Sequence, residues 1–527
     1  MHGQRCSLGF LLTLLQFSHQ VSDKSSSSYV GAVVEYTPTV VRGNGTLTLK
    51  GNTEAYIGYI ESAKKQDADI IVFPEYGLTS LNLPSNPRTD QSWTTVVPSA
   101  KEEYVACTGT RSDVSETLRQ LSCAARNNKI YVVINIAERE PCGSASHQEC
   151  QSRDADRFYN TNVVFDRNGK IIARYRKINP YMEPFDKPEP PEVVTFDTDF
   201  GVKFGTFICF DIMFSVPSLN LTRNLGVTDI AFSTAWISQL PFLTAVQAHY
   251  GWSAAERVNF LESGFHGPHA GHFGSGIYLG RQRKLAAATM SYNPERLLLV
   301  RRIPKLTSSS NDAKLKERHE EEKRKKAHRT TEQEQPKLCP ANGPATSKGK
   351  DPFQDSMFFM HDNLAPYETV PFSDSVDKTV CYKNFCCHFQ INATRVDPQT
   401  EYRLAVFNGV RLYGAEVTAG VRVCSLIQCS NDSLASCYSH RPSDTTFSTL
   451  KITAAFEDYS PEFLVMPSLL NSDLLPFEGW TLDEQPADAR TNFTLASNKV
   501  TKDLAAFAIY VRDFSRDHWR SPAVVSV

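Results

Sequence analysis

Three short segments each carry a chemically capable residue at the end of an apolar run: Phe73-Pro74-Glu75, Arg174-Tyr175-Arg176-Lys177 and Phe207-Ile208-Cys209-Phe210-Asp211. A carboxylate, an ammonium and a thiol together can open an amide and hydrolyse the resulting thioester. Cys209 follows Val202–Ile208, which predicts a strand running into a turn, the fixed geometry that a nucleophile needs. Pro74 ends the run Ile70–Phe73, so the Glu75 carboxylate emerges at a strand tip, able to take the thiol proton and later activate water. Lys177 closes Ile171–Arg176, where an ammonium stabilises a developing oxyanion and favours both a thiolate and an ionised glutamate. Taken singly, each has an ordinary reading: a packed or disulfide-bonded cysteine, a solvated loop glutamate, a surface lysine. The ordered set is more specific than any member.

The surrounding pattern supplies elements to hold them. Residues 29–36, 70–73, 130–136, 202–207 and 229–232 read as buried strands. Residues 112–127 and 242–256 read as helices, and a further helix sets Thr53, Tyr56, Ile57, Ile60 and Ala63 on one face. Asp166-Arg167-Asn168-Gly169 between two apolar runs predicts a hairpin. Strands at 276–278, 285–289 and 296–300 complete an α/β catalytic domain over residues 28–305. Residues 306–350 break the pattern with a dense mixed-charge stretch, read as a solvated linker. Its basic piece, Lys323–Lys326, could meet a polyanion, but interleaved acidic residues favour a plain spacer. Residues 351–527 return to apolar alternation and cysteines, a β-rich second domain in which no catalytic constellation is visible.

The chain has 527 residues and a formal net charge of −2, which excludes a whole-chain field for nucleic acid or anionic lipid. Residues 1–23 read as a secretory signal, with a run Leu8–Phe17 too short to span a bilayer, and no lipid-anchor signal is evident at the C-terminus. Thirteen cysteines fit an oxidising compartment. Setting aside Cys6 and Cys209 leaves an odd number, with Cys339 the candidate left over. Cys142 with Cys150 and Cys107 with Cys123 are local pairing possibilities, and Cys381, Cys386, Cys387, Cys424, Cys429 and Cys437 form a framework of unreadable connectivity. Asn44, Asn220, Asn392, Asn431 and Asn492 are glycosylation candidates in a secreted chain.

The three motifs resemble those of the nitrilase superfamily, and more specifically its vanin and biotinidase branch. Asn160-Thr161-Asn162-Val163-Val164-Phe165, Thr234-Ala235-Trp236, Gly274-Ser275-Gly276-Ile277-Tyr278 and Tyr382-Lys383-Asn384-Phe385-Cys386-Cys387 extend the likeness over nearly the whole mature chain. The resemblance implies a four-layer α-β-β-α sandwich followed by a smaller, β-rich, disulfide-bonded domain. It implies Cys209 as nucleophile, Glu75 as general base and acid, and Lys177 as oxyanion stabiliser. Glu183 would be a supporting glutamate and the Phe210 N–H a second oxyanion donor, with Tyr76, Trp236 and His266 lining the substrate. No metal or organic cofactor is implied. His266, His269 and His272 invite a zinc reading, but Gly267, Pro268 and Gly271 make a loop of that stretch. Branch members hydrolyse pantetheine to pantothenate and cysteamine, or biotinyl amides to biotin. The expectation is a secreted amidase acting on a small linear amide, with pantetheine first and a biotinyl amide second; the oligomeric state is left open, with a monomer favoured. Loops 76–95 and 264–275 are expected to shape the pocket. A non-catalytic binding protein on the same scaffold is the rival reading. A papain-like protease is a further one, but it needs a cysteine-activating histidine, and none stands in a recognisable context.

Overall fold

The computed structural model describes residues 21–84, 86–142, 156–293, 297–306, 357–414, 417–460, 462–486 and 490–519. The leader and linker read at 1–23 and 306–350 therefore fall almost entirely outside the described residues, as do Cys150 and Cys339.

The N-terminal part contains β1 (Ser28–Glu35), β2 (Ile70–Val72), β3 (Tyr131–Glu140), β4 (Arg157–Phe165), β5 (Ile171–Arg176), β6 (Thr195–Asp197), β7 (Lys203–Ile208), β8 (Asp229–Thr234), β9 (Gln239–Leu240), β10 (Asn259–Gly264), β11 (Ser275–Leu279), β12 (Lys284–Thr289) and β13 (Leu297–Pro304). All but β9 build two six-stranded sheets, ordered β13-β1-β2-β3-β4-β5 and β12-β11-β10-β8-β7-β6. Alternation along each strand decides which layer a side chain joins. Ile70, Val72 and Val133 join Phe204, Ala231 and Leu261 in the core between the sheets. Ile71, Val132 and Ile134 face the other way and pack with Tyr56 and Ile60 of α1 (Gly45–Lys64) and Leu118 and Leu121 of α2 (Glu116–Asn128). On the outer face of the second sheet, Phe207, Phe232 and Phe260 pack with Tyr250 and Trp252 of α3 (Ala245–Glu256). The result is the expected four-layer α-β-β-α sandwich.

Two of the helices, α2 and α3, start later than hydrophobic periodicity alone suggests, because polar caps set their starts. Ser115 accepts from Leu118 N, so α2 begins at Glu116 rather than 112. Thr244 and Gln247 form a capping box that starts α3 at Ala245. The Asn-Gly turn is present between β4 and β5. Gly169 adopts φ 76°, and a Cβ there would meet the Ser122 carbonyl oxygen at 2.3 Å, so only glycine fits.

The second part is two further sheets. One runs β15 (Glu368–Phe372), β18 (Glu401–Tyr413), β19 (Val417–Cys429), β25 (Leu504–Trp519), β21 (Phe463–Asn471). The other runs β16 (Ser375–Tyr382), β17 (Phe385–Arg395), β20 (Thr446–Phe456), β23 (Thr491–Ser497), β22 (Trp480–Pro486), with β24 (Thr501–Lys502) beside β20. Disulfides join Cys107 to Cys123, Cys381 to Cys386, Cys387 to Cys424 and Cys429 to Cys437, the third linking β17 to β19 across the two sheets.

The two parts share one apolar core. Gln247 of α3 donates to Ser468 Oγ of β21 at 2.9 Å, and Ser468 donates to the Phe242 carbonyl. β14 (Met360–His361) pairs in parallel with β9, bringing the start of the second part onto the first.

Candidate active site

β1, β2 and β3 are mutually parallel, as are β7, β8 and β10. β5 shares the direction of β3 through two antiparallel pairings. The C-terminal ends of β2, β5, β7 and β8 thus deliver Glu75, Lys177, Cys209 and Ala235–Trp236 to the same region. Loops at strand ends carry chemistry because the sheet fixes their starting points.

Glu75 is 1% exposed, and its oxygens are fully engaged. Oε1 accepts from Lys177 Nζ at 2.7 Å and from Asn160 Nδ2 at 2.8 Å, and Oε2 accepts from Ala235 N at 2.8 Å. Lys177 also donates to Glu183 Oε1, while Asn160 Nδ2 donates to Glu183 Oε2 at 2.7 Å. Asn135 donates to Asn160 Oδ1 at 2.6 Å, which turns the Asn160 amide so that its NH2 faces both carboxylates. A buried ion pair survives only with such added hydrogen bonds. Burial pushes the Glu75 carboxyl above its usual range; Lys177 opposes this and Glu183 adds to it. Burial pushes the Lys177 ammonium the other way, but Glu183 and Glu75 outweigh it and hold the lysine charged.

Cys209 opens a short helical turn, Cys209–Met213, directly after β7. Its φ of 48° lies in the left-handed region, which costs a non-glycine residue about 1 kcal/mol or more and must be held by its surroundings. Asp211 holds it. The buried Asp211 carboxylate accepts from Tyr175 Oη at 2.6 Å, from Asn179 N and Nδ2 at 2.9 Å each, and from Ile208 N at 3.1 Å. Tyr175 and Asn179 flank Lys177 in sequence, so one carboxylate ties the lysine segment to the cysteine turn. Cys209 is the one free cysteine among the described residues. Burial pushes its thiol well up and Glu75 pushes further, while Lys177 and the Thr234 hydroxyl pull down. The resting site therefore holds a neutral thiol close to a carboxylate.

Glu75, Lys177 and Cys209 line one cavity of about 640 Å³, with Tyr76, Tyr181, Glu183, Phe210 and Trp236 in its wall. The size lies within the range of small-ligand sites. His266 is not part of the lining: it is buried with Nδ1 2.6 Å from Glu35 Oε1. The histidine in the wall is His272, which donates from Nδ1 to the Ala235 carbonyl at 2.7 Å and is held neutral by burial. His269 turns to Tyr292, so the three histidines do not converge, and no metal-binding cluster occurs among the described residues. Of the expected loops, 76–95 supplies Tyr76, Leu81 and Leu83, and 264–275 supplies His272.

Reading the sequence missed two groups. Asn160, Asn135 and Asp211 support the charged residues, and the polar positions of Asn160-Thr161-Asn162 within an apolar strand were the available signal. Met360, Leu412, Tyr413 and Gly414 of the second part close the cavity, and no local signal marks them. Among the sequons, Asn44 caps α1 through Leu47 N, Asn392 and Asn431 are exposed, and Asn220 and Asn492 are half-buried.

A family model for carbon-nitrogen hydrolase matches residues 32–289, and one for the vanin C-terminal domain matches residues 357–517. Vanin-like protein 1 of Drosophila melanogaster is 33% identical over 526 residues, covering 94% of this chain and 87% of that protein. The pantetheinase of Homo sapiens is 31% identical over 443 residues, covering 81% of this chain and 80% of that protein. Among solved structures, an amidase from Nesterenkonia sp. aligns with a TM-score of 0.39 at 18% identity, over 58% of this chain and 99% of its own.

Proposed function

The chain belongs to the carbon-nitrogen hydrolase family, in the group that also carries a vanin C-terminal domain, and from that premise we propose that it is a secreted enzyme hydrolysing pantetheine to pantothenate and cysteamine through a thioester on Cys209. That it is a hydrolase of non-peptide carbon–nitrogen bonds follows from the family. The observation that carries the finer reading is that Glu75, Lys177 and the free thiol of Cys209 face one cavity. Relatives named pantetheinase, 31% identical over 81% of the chain, support the choice of substrate. The disulfides support an oxidising compartment, and among the described residues no helix is long and apolar enough to cross a membrane.

The mechanism follows from the charge states. The thiol is neutral, so it must lose its proton as it attacks, and Glu75 is the base that accepts it. Lys177 stays charged and stabilises the oxyanion of the tetrahedral intermediate. The Phe210 N–H is the second donor, since the first N–H groups of a helical turn lack partners within it. Glu75 returns the proton to the departing amine, and cysteamine leaves behind an acyl-thioester. Water then loses a proton to Glu75 and attacks the thioester; the tetrahedral intermediate collapses with cleavage of the C–S bond, Glu75 returns the proton to the Cys209 sulfur, and pantothenate is freed. Glu183 and Asn160 keep the ammonium and the base in place throughout.

Steady-state hydrolysis of pantetheine and biocytin, measured side by side on wild type and Cys209→Ala, tests the reading. Pantetheine turnover lost in the variant is the expected result. Turnover of biocytin in place of pantetheine would move the substrate to the biotinyl amides. Activity surviving in the variant would overturn the nucleophile.

A further inference from the structure

We propose that Arg512, on the last strand of the second domain, is a positioning residue for the Cys209 turn, so that the second domain holds the nucleophile in its reactive geometry. The proposal rests on the reading of Cys209 as the nucleophile.

The Cys209–Met213 turn has to keep a strained residue at its start and present the Phe210 N–H to the cavity. Asp211 anchors it from within the first domain. The end of the turn is anchored from outside: Arg512 Nε donates to the Met213 carbonyl at 3.1 Å, across 299 residues of sequence. Arg512 is fully buried, and its two terminal nitrogens donate to the Gly420 carbonyl and to Asp517 Oδ2, the latter at 2.7 Å. Burying a guanidinium is expensive unless its donors are satisfied, and an apolar residue would fill a sheet face at less cost. An apolar residue could make none of these bonds, and among them the one to Met213 is the link that reaches the nucleophile turn.

The same strand reaches the other end of the turn. Tyr510 lies two residues before Arg512, on the same face of β25. Its hydroxyl is 2.8 Å from that of Tyr413, and the Tyr413 ring packs edge-on against Phe210 with centroids 5.9 Å apart. Both ends of the nucleophile turn are thus braced by β25, one directly and one through Tyr413. A displacement of about 1 Å in an attacking group can cost up to about a hundredfold in rate, so this brace acts on the chemical step rather than on substrate affinity.

The test uses the full-length chain with Arg512→Met, Arg512→Lys and Asp517→Asn. Three quantities are read: kcat and KM for pantetheine, and the rate of Cys209 alkylation by iodoacetamide. Arg512→Met is expected to lower kcat by about tenfold or more with KM changed less than about threefold. Alkylation should slow in parallel, and Arg512→Lys should recover part of both. Wild-type kcat in folded Arg512→Met, or a lower kcat with an unchanged alkylation rate, would overturn the proposal. Should Arg512→Met fail to fold, Asp517→Asn loosens the same anchor, and an unchanged kcat there would overturn the proposal equally. Alkylation needs no substrate, so a wrong substrate assignment leaves this readout intact. Failure of the mechanism itself would show separately, as turnover surviving in Cys209→Ala.

Discussion

At the scale of the residue, the site depends on three groups whose protonation is set by one another. The Glu75 carboxyl is raised by burial, and in the proposed mechanism its ionised form accepts the thiol proton. Activity is therefore present above the Glu75 pKa and lost as pH falls through it. The acid limb of kcat/KM should lie above the ordinary glutamate value of 4.5, and Glu75→Gln should lower kcat by about a hundredfold or more. A pH–rate profile of both proteins checks this. At the cavity floor two carboxyl groups, Glu75 and Glu183, stand against the single ammonium of Lys177. Iodoacetamide should then inactivate faster than iodoacetate by a wider margin than with free cysteine, read as paired inactivation rates. Glu75, Lys177 and Cys209 were legible because each ends an apolar run. His272 was not, because it lies in one loop with His266. Which of them meets the cavity is decided by remote partners, Glu35 for one and the Ala235 carbonyl for the other.

At the scale of the element, strand ends place the chemistry and a buried carboxylate locks them together. Asp211 accepts from Tyr175, Asn179 and Ile208, so Asp211→Ala strands several buried donors. Each costs about 1–3 kcal/mol, and the variant should lose at least about 3 kcal/mol of stability in denaturant unfolding, with activity lost as well. The alternating strands and the Asn-Gly hairpin were readable, since period-2 burial writes itself into the sequence. The helical turns from Cys209 to Asn224 were not. Ile212, Met213, Phe214, Leu219 and Leu221 are all buried, Pro217 interrupts them, and a segment covered on several sides shows no amphipathic period.

At the scale of the whole molecule, the second domain completes the cavity with Met360, Leu412, Tyr413 and Gly414. The sequence showed no chemistry there because these residues have none of their own; their role exists only once β18 and β14 are docked against the first domain. The Cys387–Cys424 bridge ties the two sheets of that domain together. Replacing both cysteines with serine should cost about 2–4 kcal/mol and lower activity, read by thermal unfolding alongside turnover. The most direct test of the account is to quench wild type during pantetheine turnover and map the acylated peptide. The account predicts a hydroxylamine-labile pantothenoyl group on Cys209. An acyl group on any other residue, or turnover undiminished in Cys209→Ala, would contradict it.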